Sequence, residues 1–107
     1  MSSWKVIARV DDIFGEEPCA VNVDGVRVAL FNVEGCIHAI EDRCPHDKVA
    51  RLSDGYVEDG TIKCPIHQSR FDIRTGKVLC APAEEDVRLF ATRVDDGIIS
   101  IEIDPKQ

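Results

Sequence analysis

A chain of 107 residues has room for one compact domain and not for a separate large substrate domain. With 44% hydrophobic and 31% charged residues it has a globular composition, and no apolar run approaches the roughly 20 residues of a membrane-crossing helix. Twenty acidic against 13 basic side chains give a formal charge of -7, which removes electrostatic support for nucleic-acid binding. Acidic surface serves solubility alone, or attraction to a basic partner in a brief encounter.

The opening Met1-Ser2-Ser3-Trp4-Lys5 lacks a basic region followed by an apolar one, so the expected location is the cytoplasm. Short alternating or β-branched runs follow at residues 4–9, 18–23, 26–33 and 37–40, and again at 56–58, 61–63, 87–94 and 98–103. Between them lie Asp24-Gly25, Glu34-Gly35, Asp54-Gly55, Asp59-Gly60, Thr75-Gly76 and Asp96-Gly97. Short strands punctuated by turns predict an all-β chain, an antiparallel β-sandwich or small barrel. Residues 11–14 are the one place where a single helical turn is expected. Trp4, Phe14, Phe31, Phe71 and Phe90 fall at strand-like spacing and are read as core. His38, alternating with Ile37 and Ile40, is read as a structural strand side chain.

Residues 41–83 interrupt the regular pattern. Two runs stand out there, Cys44-Pro45-His46 and Cys64-Pro65-Ile66-His67, with 17 residues between them. Proline removes a backbone donor, so both Cys-Pro pairs belong on loops. Residues 56–63 would form a hairpin joining one loop to the other. Each run offers one thiolate and one imidazole, and a Cys2His2 set split in this way can hold an iron pair asymmetrically, with two sulfurs on one iron and two nitrogens on the other. Zinc also accepts two cysteines and two histidines and stays the competitor at this point, although structural zinc sites usually pair like with like. A Cys-His nucleophilic pair lacks an oxyanion site or an orienting third group. Cys19, Cys36 and Cys80 remain, an odd set that argues against a disulfide framework; each is expected to be a small buried residue in a strand.

The stretch running through both motifs, with Leu52-Ser53-Asp54-Gly55-Tyr56, Arg70-Phe71-Asp72-Ile73-Arg74-Thr75-Gly76-Lys77-Val78 and Pro82, resembles Rieske-type ferredoxins of bacterial aromatic-ring-hydroxylating dioxygenase systems. The resemblance implies a Rieske-type (ISP) fold in one domain over residues 1–107, with a cluster-binding subdomain of two ligand loops at roughly 41–83. It implies one [2Fe-2S] cluster per chain, Cys44 and Cys64 on one iron, His46 and His67 on the other, and Pro82 on a third, shielding loop. High-potential relatives carry a disulfide between the two loops. Val49 and Ile66 occupy those positions here, and Ser69 and Phe71 stand where those relatives place Ser and Tyr, which points to the lower end of a range of about -150 to +300 mV. Asp47-Lys48 replaces a more usual glycine and is read as solvated loop.

The implied role is a one-electron carrier, not an enzyme: electrons come from a flavoprotein NAD(P)H-dependent reductase and pass to a terminal oxygenase, with transient docking near the His ligands. A monomer, with no membrane or nucleic-acid partner, is expected. An oxygenase would need two further histidines for a mononuclear iron, and only His38 is left over. The runner-up is the small Rieske-like subunit of an assimilatory nitrite reductase.

Overall fold

Asp24-Gly25, Glu34-Gly35, Asp59-Gly60 and Asp96-Gly97 each place both residues at positive φ. That is the geometry of the two-residue turn whose twist matches a pair of antiparallel strands. A computed structural model describes residues 3–13, 17–44, 50–65, 69–80 and 85–103. The strands joined by these turns are β2 (Cys19–Val23), β3 (Val26–Val33) and β4 (Cys36–Glu41), β5 (Tyr56–Glu58) and β6 (Thr61–Lys63), and β10 (Thr92–Asp95) and β11 (Ile98–Ile103). The others are β1 (Ser3–Arg9), β7 (Arg70–Asp72), β8 (Val78–Cys80) and β9 (Leu89–Phe90). Short 3₁₀ turns cover Val10–Asp12 and Leu52–Asp54.

The strands form three antiparallel sheets, ordered β1-β11-β10, β2-β3-β4-β9 and β5-β6-β7-β8. The middle sheet is a shared wall. Its strand β3 reads Val-Arg-Val-Ala-Leu-Phe-Asn-Val, and successive side chains point to opposite faces. Val28 and Leu30 join Ile37, Ala39, Phe90, Ile99 and Ile101 in one buried cluster. Ala29, Phe31 and Val33 join Ile40, Ile62, Phe71 and Ile73 in the other. Burial on both faces is why this strand reads as an almost unbroken apolar run. Phe31 and Phe71 are at most 1% exposed, and burying each stabilises the fold by about 2–3 kcal/mol.

The run 87–94 is two strands and not one. Leu89 and Phe90 pair with Ile40 and Ala39 of β4, while Thr92 onward pairs with β11. The break falls at Ala91, whose carbonyl accepts the Glu102 amide at 3.0 Å. The helical turn expected at 11–14 lies at Val10–Asp12, and Phe14 is outside the described residues. Asp54-Gly55 is no hairpin turn; Gly55 ends the second 3₁₀ turn with its amide on the Leu52 carbonyl.

Three of the expected core aromatics are buried, but Trp4 is 39% exposed. It pairs with Glu102 on the outer side of its sheet, and the Arg93 guanidinium covers its ring at 4.4 Å. Cys36 and Cys80 are also exposed, contrary to the reading as buried residues. Cys36 opens β4 directly after a turn, and Cys80 ends an edge strand.

Candidate metal centre

Cys44 and Cys64 are 0% and 1% exposed and lie in the same buried cluster, with Phe31, Leu52, Ile62, Phe71 and Ile73. Each cysteine stands at the neck of a loop that its own backbone closes. The Cys44 amide donates to the Ala50 carbonyl at 3.2 Å, and the Cys64 amide to the Ser69 carbonyl at 2.9 Å. The two cysteines of the motif are thus held alike, in apolar surroundings. All five cysteines are unbridged. Buried sulfur in an apolar wall suits a soft thiolate ligand, since that wall would exclude water from a metal held there.

His46 and His67 lie outside the described residues, as do Pro45, Asp47, Lys48, Val49, Ile66, Gln68 and Pro82. Pro65, which follows the second thiol, is half-buried. Ser69 is fully buried at the second neck, and Phe71 is fully buried two residues on. The ring of Phe71 therefore fills core space and brings no hydroxyl.

Two polar residues that the sequence reading passed over brace the first loop. Asp42, 1% exposed, accepts the Ser53 amide at 2.7 Å and the Ser53 hydroxyl at 2.6 Å. Its own amide donates to the Arg27 carbonyl at 2.9 Å, which continues the β3 edge to within two residues of Cys44. A short O–H···O bond to a carboxylate is among the stronger neutral-to-charged contacts. The only signal in the sequence was the Leu52-Ser53-Asp54-Gly55-Tyr56 run itself.

Two glycines explain the rest of that pattern. A Cβ on Gly55 would lie 2.0 Å from the Lys63 carbonyl oxygen, so the 3₁₀ turn rests directly on the backbone of β6 just before Cys64. Gly76, at φ 77, would put a Cβ 2.5 Å from the Val87 carbonyl oxygen. Its amide donates to the Asp72 carbonyl at 2.7 Å and its carbonyl accepts the Val87 amide at 2.8 Å. The Ile73 amide reaches the Gly60 carbonyl at 2.9 Å. These bonds fold residues 70–76 back against the hairpin that carries Cys64.

His38 is half-buried on β4 opposite Phe31. Burial first, and then the Arg74 charge, push its pKa below the usual value, with Asp72 pulling the other way. The basic side chains near the second loop are locally engaged: Arg70 lies 3.8 Å from Glu58 and Arg74 3.4 Å from Glu34.

Comparison with known proteins bears on this arrangement. The profile of the Rieske [2Fe-2S] domain matches residues 3–91. The chain is 38% identical over 100 residues to the ferredoxin component of the naphthalene 1,2-dioxygenase system of Pseudomonas putida, covering 94% of this chain and 95% of that one. The ferredoxin of carbazole 1,9a-dioxygenase from Nocardioides aromaticivorans IC177 superposes with a TM-score of 0.87 at 31% identity, over 92% of this chain and 96% of that one. A complex of reduced oxygenase and oxidized ferredoxin in carbazole 1,9a-dioxygenase contains a chain that matches with a TM-score of 0.85 at 27% identity, over 92% and 91%. A protein assigned as an NADH-dependent nitrite reductase small subunit, from Mycobacterium tuberculosis, matches with a TM-score of 0.85 at 26% identity, over 97% of each chain. The profile runs from β1 through the β9 strand that closes the middle sheet, both loop necks included, and the chain belongs to the Rieske [2Fe-2S] domain family.

Proposed function

We propose that this chain is a one-electron carrier that receives electrons from a flavin-containing, NAD(P)H-dependent reductase and delivers them singly to a terminal Rieske oxygenase acting on aromatic compounds. The observation that carries the reading is the pair of buried thiols, Cys44 and Cys64, each closing the neck of a loop whose sequence holds a histidine. In this reading Cys44 and Cys64 ligate one iron, His46 and His67 the other, and residues 1–107 act as one domain with its cluster-binding portion at about 41–83. Bound there, a [2Fe-2S] cluster supplies reversible one-electron chemistry.

The chain's own contribution is positional. Phe31, Ile62, Phe71 and Ile73 keep water from the sulfur side. The two neck bonds and the Asp42–Ser53 pair fix where the loops begin. The naming of relatives as ferredoxin components supports a carrier over an enzyme, and the carbazole dioxygenase complex supports an oxygenase as the acceptor. The carrier acts as a cytoplasmic monomer, and each encounter is weak because one loop face serves donor and acceptor in turn. Among the solved structures the nitrite reductase small subunit is 26% identical against 31% for the carbazole dioxygenase ferredoxin, and the fixed-subunit alternative gives no reason for a complete ligand set in the sequence.

A reductive potentiometric titration followed by low-temperature EPR tests the reading. The expected result is a rhombic Rieske signal with a midpoint near about -150 mV, consistent with Phe71 lacking a hydroxyl and with Val49 and Ile66 in place of bridging cysteines. A midpoint well above zero would move the chain to a respiratory-type role, and absence of the signal would overturn the carrier.

A further inference from the structure

Each ligand loop is closed by a bond between backbone groups, which side-chain substitution leaves in place. A third tie in the same layer is made differently. The Val78 amide, at the start of β8, donates to Oδ1 of Asp86 at 2.9 Å. One residue further on, the Val87 amide donates to the Gly76 carbonyl at 2.8 Å. Two bonds thus fasten residues 86 and 87 to the turn between β7 and β8, and one of them exists only because the side chain at 86 carries an acceptor of the right reach.

Behind this tie is the apolar wall around the thiols. Val87 is 4% exposed and belongs to the same buried core group as Cys44, Cys64, Phe71 and Ile73, and half-buried Val78 packs against that group. Asp86 itself is exposed, so the tie is made at the surface of the wall. Strand β8 has little else to hold it. It is an edge strand with β7 as its one neighbour, and the pairing covers only Arg70 with Cys80 and Phe71 with Val78, with a register shift between them. Leu79 and Cys80 are exposed. A strand held by so few bonds opens locally more readily than the core, and one hydrogen bond is a large part of what keeps it closed.

We infer that Asp86 is a positioning residue for the cluster site: by holding the Val78 amide it keeps β8 and Val87 seated against the wall around the thiols, and so limits water on the sulfur side. The inference rests on the carrier reading above and adds to it a residue that acts through its neighbours. Two thiolates cancel the formal charge of an oxidised [2Fe-2S] core, so the reduced site carries one more negative charge. Water admitted to it stabilises the reduced form and raises the midpoint.

The test compares four cluster-loaded proteins: wild type, Asp86→Ala with no acceptor, Asp86→Asn with a carbonyl oxygen but no charge, and Gly25→Ala, a control strained at a turn of the middle sheet. Truncation at an exposed position leaves no cavity, and the Val87–Gly76 bond remains in every variant. The readouts are the midpoint from a potentiometric titration and the rate at which bathophenanthroline disulfonate bleaches the reduced protein. Both are taken at about 0.5 M salt, where a lost surface charge is screened within a few Å. Asp86→Ala is expected to show a raised midpoint and bleaching roughly three- to tenfold faster, the factor that one net hydrogen bond represents. Asp86→Asn and Gly25→Ala keep the wild-type midpoint, and Asp86→Asn bleaches within about twofold of wild type. Hydrogen exchange read by mass spectrometry is faster over residues 78–80 in Asp86→Ala alone. An Asp86→Asn protein that behaves like Asp86→Ala would show that the carboxylate acts by charge, and would overturn the positioning role. An Asp86→Ala protein with the wild-type midpoint and bleaching rate would overturn it too, and would leave the carrier standing. A wild-type protein without a Rieske EPR signal would overturn the carrier reading, and this inference with it.

Discussion

Ser53 gives the Asp42 carboxylate both its amide and its hydroxyl, at 2.7 and 2.6 Å, across the stretch of chain that contains the first ligand loop. The pair is a clasp that closes the chain just outside the Cys44–Ala50 neck bond. Ser53→Ala removes one of two donors and is expected to cost about 1–3 kcal/mol. Asp42→Ala leaves both half-buried Ser53 donors without their acceptor and is expected to cost more. Thermal midpoints followed by circular dichroism, with iron content before and after heating, check the order wild type, Ser53→Ala, Asp42→Ala.

Gly55→Ala and Gly25→Ala separate close approach from backbone conformation. At Gly25 a Cβ meets nothing within 4 Å, so the penalty is only that of a side chain at φ 85, about 1–2 kcal/mol. At Gly55 the φ of -88 suits any residue, yet the Cβ would collide with the Lys63 carbonyl. The expected outcome is a mildly destabilised, fully loaded Gly25→Ala protein and a Gly55→Ala protein that loses most of its iron, because the strand leading into Cys64 must move. Equal iron occupancy in the two variants would contradict this account.

Single Cys→Ser substitutions sort the five thiols. Cys44→Ser and Cys64→Ser are expected to abolish the visible absorbance of the purified protein. Cys36→Ser and Cys80→Ser, at exposed strand ends, leave it unchanged. Cys19 is half-buried, and burial first and Asp12 second raise its pKa, so alkylation by iodoacetamide at mildly alkaline pH proceeds at Cys36 and Cys80 ahead of Cys19.

His38 gives the fold an acid-side weakness. Its folded pKa lies below the ordinary 6.5, so above that pH the ring is neutral in folded and unfolded chains alike and its full contribution is present. As pH falls below the unfolded value, the unfolded chain takes the proton first, and stability declines until the folded pKa is passed. His38→Gln, which cannot charge, is expected to lose less stability than wild type between about pH 7.5 and about pH 5. Parallel pH profiles for the two proteins would exclude the histidine as the source.

Much of this arrangement could be read from the residues. The boundaries of β3, β5, β6 and β11 coincide with the runs read from the sequence, because Asp-Gly and Glu-Gly turns fix where each strand ends. Cys44 and Cys64 were conspicuous by type and by their prolines. What escaped depended on distant partners. The Asp42–Ser53 clasp joins residues that neither pattern nor propensity connects. The change of sheet at Ala91 follows from which strands lie alongside, and nothing at Ala91 itself announces it. Strands β7 and β8 are as short as β5 and β6 but lack the two-residue Asp-Gly turn that marks those, and are held by contacts at Gly76 and Gly60. The exposure of Cys36 and Cys80 reflects position at a turn and at a sheet edge, which spacing alone does not encode.

Strand β4 ends at Glu41, β9 begins at Leu89, and the two pair side by side, with the Glu41 amide on the Arg88 carbonyl at 2.8 Å. Everything between, the third sheet and both thiols included, leaves and re-enters the two-sheet body through one doorway a single hydrogen bond wide. The iron-binding layer is therefore a cassette. Joined to the body at one place along the chain, it is seated on an apolar wall of Ala29, Phe31, Val33 and Ile40 that would be bared if the layer were lifted away.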